Sequence, residues 1–184
     1  MNLKRKIMVM PRFRLALLLI LLISSAGSVA SLVAQYWGGM NPCVMCIQQR
    51  VALMLLVPTA LLGLLLTGNK GKRLLASVAV SVPAVWGLYI ALKQIYIQSL
   101  PLMEQPSCGA PWTFRLRHMP LFEWYEPIIR GSGACGEVHL VFGIALPVWS
   151  AVFFILVLLI LWGAWAWTFR LPENHLGQSK KDKS

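Results

Sequence analysis

The stretch NPCVMCIQQR, residues 41–50, sets two cysteines three positions apart and an arginine four further on, at the mouth of an apolar run. Residues 51–66 then carry no charge at all. A helix entering a membrane would begin here, with a dithiol and a cation in its first turns. Asparagine is a good N-cap and proline a good first helical residue, so Asn41 and Pro42 are expected to start it. At about 100° per residue, Cys43, Cys46 and Arg50 then fall within about 60° of one another on one face.

Three further apolar runs accompany this one. Residues 15–34, 46–66, 74–92 and 147–169 are each long enough to cross a bilayer, since about 20 helical residues span roughly 30 Å of hydrocarbon. Over 184 residues the chain is 58% hydrophobic and 12% charged, against about 25% charged in ordinary globular domains. The expected fold is all-α: a single membrane domain over 1–184, a four-transmembrane-helix bundle with one long outer loop at about 95–146.

A formal charge of +11 invites a nucleic-acid reading, but its distribution argues for topology. Lys4, Arg5, Lys6, Arg12 and Arg14 precede the first span; Lys70, Lys72 and Arg73 sit between spans two and three; Arg170, Lys180, Lys181 and Lys183 follow the fourth. Four spans place these segments on one side. The opposite side has Arg50, Lys93, Arg115, Arg117 and Arg130, nearly balanced by Glu104, Glu123, Glu126 and Glu137. The positive-inside rule puts both termini and the tail 170–184 in the cytoplasm. A competing reading makes the first run a cleavable signal with a small-residue cut site in SSAGSVAS. The apolar pattern continues to Tyr36 and Trp37, which resemble an interfacial anchor, so the span is kept.

TGNKGKR reads as a tight cytoplasmic turn and ENHLGQSKKDKS as a disordered tail. The long loop is too small for a substantial core of its own, and PLFEWYEPII within it reads as a membrane-surface segment. Pro83 is expected to kink the third span, and Gly63, Gly87 and Gly163 to admit close helix approach.

All four cysteines, Cys43, Cys46, Cys108 and Cys135, fall on the outer side. Inert structural disulfides, a zinc site and thiol–disulfide exchange are the three readings. A helix N-terminus favours a thiolate, and Arg50 lies one turn beyond Cys46; a staple needs neither. The competing role for Arg50 is snorkelling to lipid headgroups. Zinc would call for a second close pair, yet Cys108 and Cys135 are 27 positions apart, and His118 and His139 lack ligand spacing. Exchange is the leading reading.

With CVMCIQQR opening the second span, PSCGAP and GACGEV in the loop and FGIALPVW leading into the fourth span, the chain resembles the DsbB family of bacterial inner-membrane disulfide-bond formation proteins. The resemblance implies a thiol:quinone oxidoreductase that reoxidises a periplasmic DsbA-like dithiol oxidase and passes electrons to ubiquinone or menaquinone. The DsbA–DsbB–quinone route is a known case: a DsbA couple near about −120 mV needs an acceptor stronger than glutathione. By position, Cys108 would form the mixed disulfide with the partner and Cys135 would be its loop mate. Cys135 would exchange with Cys43, freeing Cys46 to pass electrons on, while Arg50 would stabilise the thiolate and hold the reduced quinone. Cys43–Cys46 and Cys108–Cys135 would be the resting disulfides.

The chain departs from the family pattern in places. Some members carry a histidine near the outer end of the third span, where this sequence has LKQIYIQ. Gln48 and Gln49 precede Arg50 where relatives can have an aromatic and an acidic residue. Glu137 is read as a solvated carboxylate, with partner contact as the alternative. The runner-up enzyme, a vitamin K epoxide reductase-type thiol oxidoreductase, would place its loop cysteines before the membrane pair, the reverse of the order here. The non-enzyme alternative is a disulfide-stapled membrane scaffold or a metal-handling protein.

Overall fold

Lipid offers the backbone no hydrogen-bond partner, so apolar segments of this length satisfy their peptide groups internally, as helices. The computed structural model describes residues 3–66, 70–107 and 109–170. In chain order it runs through α1 (Leu3–Tyr36), α2 (Val44–Leu65) and α3 (Lys70–Ser99). The loop follows, with short helices α4 (Trp112–Leu116) and α5 (Phe122–Ile129) and a hairpin of β1 (Leu140–Val141) and β2 (Ile144–Ala145). It ends in α6 (Leu146–Arg170). Among the described residues, four segments have the length and composition to cross a membrane: Arg12–Tyr36, Val44–Leu65, Gly71–Ser99 and Leu146–Trp167. The protein is a multi-pass, all-α membrane bundle.

The helices close a ring in which α1 packs on α2, α2 on α3, α3 on α6 and α6 back on α1. Each contributes a stripe at helical spacing to one core. Phe13, Leu17 and Ile20 come from α1, and Ala52, Leu56 and Ala60 from α2. Val80 and Ala84 come from α3, and Phe154, Val157 and Leu161 from α6. Of the three glycines expected at close approaches, Gly87 fits best, because an added Cβ would collide with the Phe154 ring. Gly63 is tight against Leu17, whereas Gly163 faces open space and makes no such approach. Both α2 and α3 continue through an internal proline, Pro58 and Pro83.

The third helix outruns its apolar stretch. Residues 95–99, expected in the loop, are helical, because Ile90, Gln94 and Ile97 continue one buried stripe to the end of α3. That extension brings a glutamine level with the cysteines. The loop packs back on the bundle. Tyr36 donates from its hydroxyl to the Pro127 carbonyl at 2.7 Å, and Gln35 Nε2 donates to the Arg130 carbonyl at 2.9 Å, tying α5 to the end of α1. Trp112 Nε1 donates to the Val44 carbonyl at 3.3 Å, setting α4 beside the start of α2. Within PLFEWYEPII, Trp124 is exposed and Ile129 buried. The hairpin pairs Leu140 with Ala145 and Val141 with Ile144. Its tip residues Phe142 and Gly143 both take positive φ, as a two-residue hairpin turn with right-handed strand twist requires. The expected cytoplasmic turn at 67–69, the tail beyond 170 and Cys108 lie outside the described residues.

Candidate active site

The second helix begins two residues later than its sequence suggests. Cys43, extended at φ −76° and ψ 169°, is the N-cap, and its Sγ accepts the Cys46 N–H at 3.2 Å. Asn41 is diverted: its Nδ2 donates to Ser132 Oγ at 3.2 Å, and its Oδ1 accepts the Ser132 N–H at 3.0 Å. A loop residue 91 positions away thus takes the side chain that would have capped the helix. The shared-face geometry holds for Cys46 and Arg50 within the helix; Cys43 stands just outside it.

The same docking brings the loop to the cysteines. Gly133 forms a parallel bridge with Cys43, and its N–H donates to the Pro42 carbonyl at 3.3 Å. A side chain at 133 would strike the Asn41 carbonyl, so this close approach requires glycine. Two residues on, Cys135 is buried in one cluster with Cys43, Met45, Ile90 and Ile97, against which Cys46 packs. Cys135 is disulfide-bonded, whereas Cys43 and Cys46 are free thiols with their sulfurs 2.7 Å apart. The hydrogen bond with Cys46, reinforced by burial, pushes the Cys43 thiol well above the usual thiol range. Cys43 is the sulfur that keeps its proton.

A chain of amides surrounds the pair. Gln49 Nε2 donates to Gln94 Oε1 at 2.7 Å, which fixes the Gln94 amide with its nitrogen toward the sulfurs. That nitrogen lies 3.3 Å from Cys46 Sγ and 3.4 Å from Cys43 Sγ. Gln49 and Gln94 are both buried, and neither is singled out by the sequence reading as more than a departure from relatives. The available signal was an uncharged amide on the buried stripe of α3, one turn beyond Ile90.

Arg50 points into the bundle and is 6% exposed, which sets aside the headgroup-anchor geometry. It donates to Gln35 Oε1 through one terminal nitrogen, which also reaches the Ile128 carbonyl at 3.2 Å; the other reaches the Ser31 carbonyl at 3.2 Å. Its Nε is buried with no hydrogen-bond partner. Arg50 and Cys46 both line a cavity of about 490 Å³ bounded by α1, α2, the segment around His139 and the start of α6. Its walls are mainly apolar, including Leu53, Trp149 and Phe153. A flat apolar molecule with acceptor oxygens fits such a site, since the walls would cover its ring and Arg50 is the cation among the described residues that line it. Glu137 is exposed, and its backbone carbonyl accepts from Gln98 Nε2 at 3.1 Å.

Fold and site together define a multi-pass membrane protein organised around a part-buried pair of cysteines and a loop that docks a further cysteine beside them. Comparison with known proteins narrows this. The family model of the disulfide bond formation protein DsbB matches residues 13–164. A disulfide bond formation protein B of Neisseria gonorrhoeae is 47% identical over 160 residues, covering 85% of this chain and 97% of the relative. The protein of that name from Neisseria meningitidis serogroup B is 46% identical over 157 residues, with coverage of 85% and 97%. One from Acinetobacter baylyi is 35% identical over 145 residues, with coverage of 77% and 84%. The chain belongs to the DsbB family of disulfide bond formation proteins.

Proposed function

We propose that the protein reoxidises a periplasmic DsbA-like dithiol oxidase and passes the electrons to a membrane quinone, ubiquinone or menaquinone. It would work as a thiol:quinone oxidoreductase of a bacterial inner membrane with both termini cytoplasmic, the side to which the basic segments point. The observation that carries the reading is the place of the Cys43–Cys46 pair. It has the disulfide-bonded Cys135 in its own buried cluster on one side and the Arg50 cavity on the other.

The exchange steps follow from that placement. A partner thiolate attacks Cys108, Cys135 leaves as a thiolate, and the partner's second thiol releases the partner as a disulfide. With Cys43 and Cys46 oxidised, the Cys135 thiolate attacks Cys43, Cys46 leaves, and attack by Cys108 on Cys135 restores the loop disulfide. Each exchange keeps the count of one disulfide and two thiols. The result is a dithiol at Cys43 and Cys46, whose sulfurs lie 2.7 Å apart. Cys43 holds its proton, Gln94 steadies both sulfurs, and Arg50 brings its guanidinium group to the cavity wall. A quinone bound there would supply the two-electron acceptor. Charge-assisted hydrogen bonds from Arg50 to a developing anion contribute about 1.5–3 kcal/mol.

The test is reconstitution of the purified protein with a reduced DsbA-like partner, counting partner thiols by alkylation. Oxidation of the partner that requires added ubiquinone or menaquinone supports the reading. Oxidation at the same rate without quinone, in protein stripped of lipid, overturns it.

A further inference from the structure

We propose that His139 handles a proton for the cavity, delivering it to the acceptor and recovering it from the aqueous side. The inference rests on the reading of the cavity as the quinone site. Among the described residues lining the cavity, the ionisable or charged side chains are Cys46, Arg50 and His139. Arginine does not release its proton in proteins. Histidine is the side chain whose ordinary titration lies in the neutral range.

The fold holds the imidazole where this chemistry needs it. His139 immediately precedes β1, and its carbonyl accepts the Leu146 N–H at 3.0 Å, so the hairpin pins it to the first residue of α6. It is half-buried and lines the cavity. Cys46 lines the same cavity. The ionisable or charged groups that share the cavity with it are Cys46 and Arg50 from α2; the lining residues of α1 and α6 are uncharged. On its own segment the nearest charge is the exposed Glu137.

Proton counting gives His139 its role. Oxidising a dithiol releases two electrons and two protons, and reducing a quinone to its hydroquinone takes up two of each. With Cys46 reacting as thiolate and Cys43 as thiol, the pair carries both electrons but only one proton. The second comes from the His139 imidazolium, which is left neutral and recharged from bulk water. The Cys43–Cys46 bond forms as the electrons leave.

His139→Gln keeps a polar side chain but cannot titrate. A positioned proton donor is worth about 10²–10⁴-fold, so in His139→Gln single-turnover quinone reduction by the reduced protein should fall at least about tenfold on the acid side of the imidazole range. Its pH dependence across that range should vanish. A second readout uses quinone-free protein: one imidazole NMR signal, missing in His139→Gln and in His139→Asn, should change its titration when Cys43 and Cys46 are oxidised. Partner capture at parental yield shows that the variants are folded. Should neither fold, the unaltered protein answers through its imidazole NMR signals, one of which should change its titration when Cys43 and Cys46 are oxidised. Unchanged profiles in the variants, or imidazoles indifferent to that oxidation, overturn the role of His139. Failure of the parent protein to reduce quinone at all would instead overturn the quinone reading.

Discussion

The carboxamide nitrogen of Gln94 stands 3.3 Å from the sulfur of Cys46, and Gln49 holds that amide in place from the other end. Two buried residues of α2 and α3 thus orient a neutral donor at the candidate reactive sulfur. Gln94→Leu should remove the donor while keeping the apolar packing, and leave Gln49 without its acceptor. A neutral hydrogen bond is worth about 0.5–1.5 kcal/mol net, so Cys46 alkylation in the reduced protein should slow by roughly 3- to 10-fold. Gln94→Glu should slow it further, because a carboxylate repels a thiolate. Rates equal to the parent in both variants would show that the contact is packing alone.

Arg50→Met should weaken quinone use while leaving partner capture nearly intact. Loss of one charge-assisted hydrogen bond, about 1.5–3 kcal/mol, corresponds to roughly a ten- to hundredfold slower reduction. Arg50→Lys should recover part of it, since an ammonium keeps the charge and loses the planar fork. Steady-state rates across quinone concentrations check both.

Cys135→Ser should trap the partner as a persistent mixed disulfide through Cys108, and Cys108→Ser should abolish capture. Without Cys135 no loop thiol remains to carry electrons to Cys43, its neighbour in the buried cluster. Non-reducing electrophoresis reads the result; a complex in Cys108→Ser at normal yield would reverse the roles.

The Cys43 thiol, held above the ordinary range by Cys46 and by burial, carries a pH consequence. In the unfolded chain it ionises near about 8.5, while in the fold it keeps its proton beyond that. Above about pH 8.5 the unfolded state therefore binds fewer protons than the native one, and stability falls as pH rises. Thermal unfolding of the reduced protein should show this loss, and the Cys43→Ser variant should show less of it. Equal slopes in the two would remove the assignment.

Gly87→Ala should destabilise the bundle, because the added methyl meets the buried Phe154 ring. Overpacking of this kind costs about 1–3 kcal/mol, readable as a lowered unfolding temperature. Gly163→Ala, facing open space, should be close to neutral.

The bundle was legible because lipid leaves the backbone little choice: four long apolar runs, charged within their bounds only at Arg50, become four helices. Cys43, Cys46 and Arg50 stand out in the sequence for a related reason, since reactive and charged groups are conspicuous in an apolar chain. What stayed hidden depends on contacts between distant segments. Asn41 has the chemistry of a cap, but Ser132 claims it from 91 positions away. Gln94 looks like the polar end of a span until the buried stripe Ile90, Gln94, Ile97 is seen packed beside the cysteines. His139 lacks metal-ligand spacing, and the hairpin that carries it to the cavity has strands of two residues. A strand that short leaves almost no periodic trace.

The central claim, that electrons pass from partner dithiol through the paired cysteines to a quinone, is tested most directly by anaerobic mixing of the purified protein, quinone and reduced DsbA-like partner while following quinone absorbance. The account predicts loss of one quinone for each disulfide formed in the partner, abolished by Cys46→Ser. Partner oxidation with quinone absorbance unchanged, or quinone loss that persists in Cys46→Ser, would contradict it.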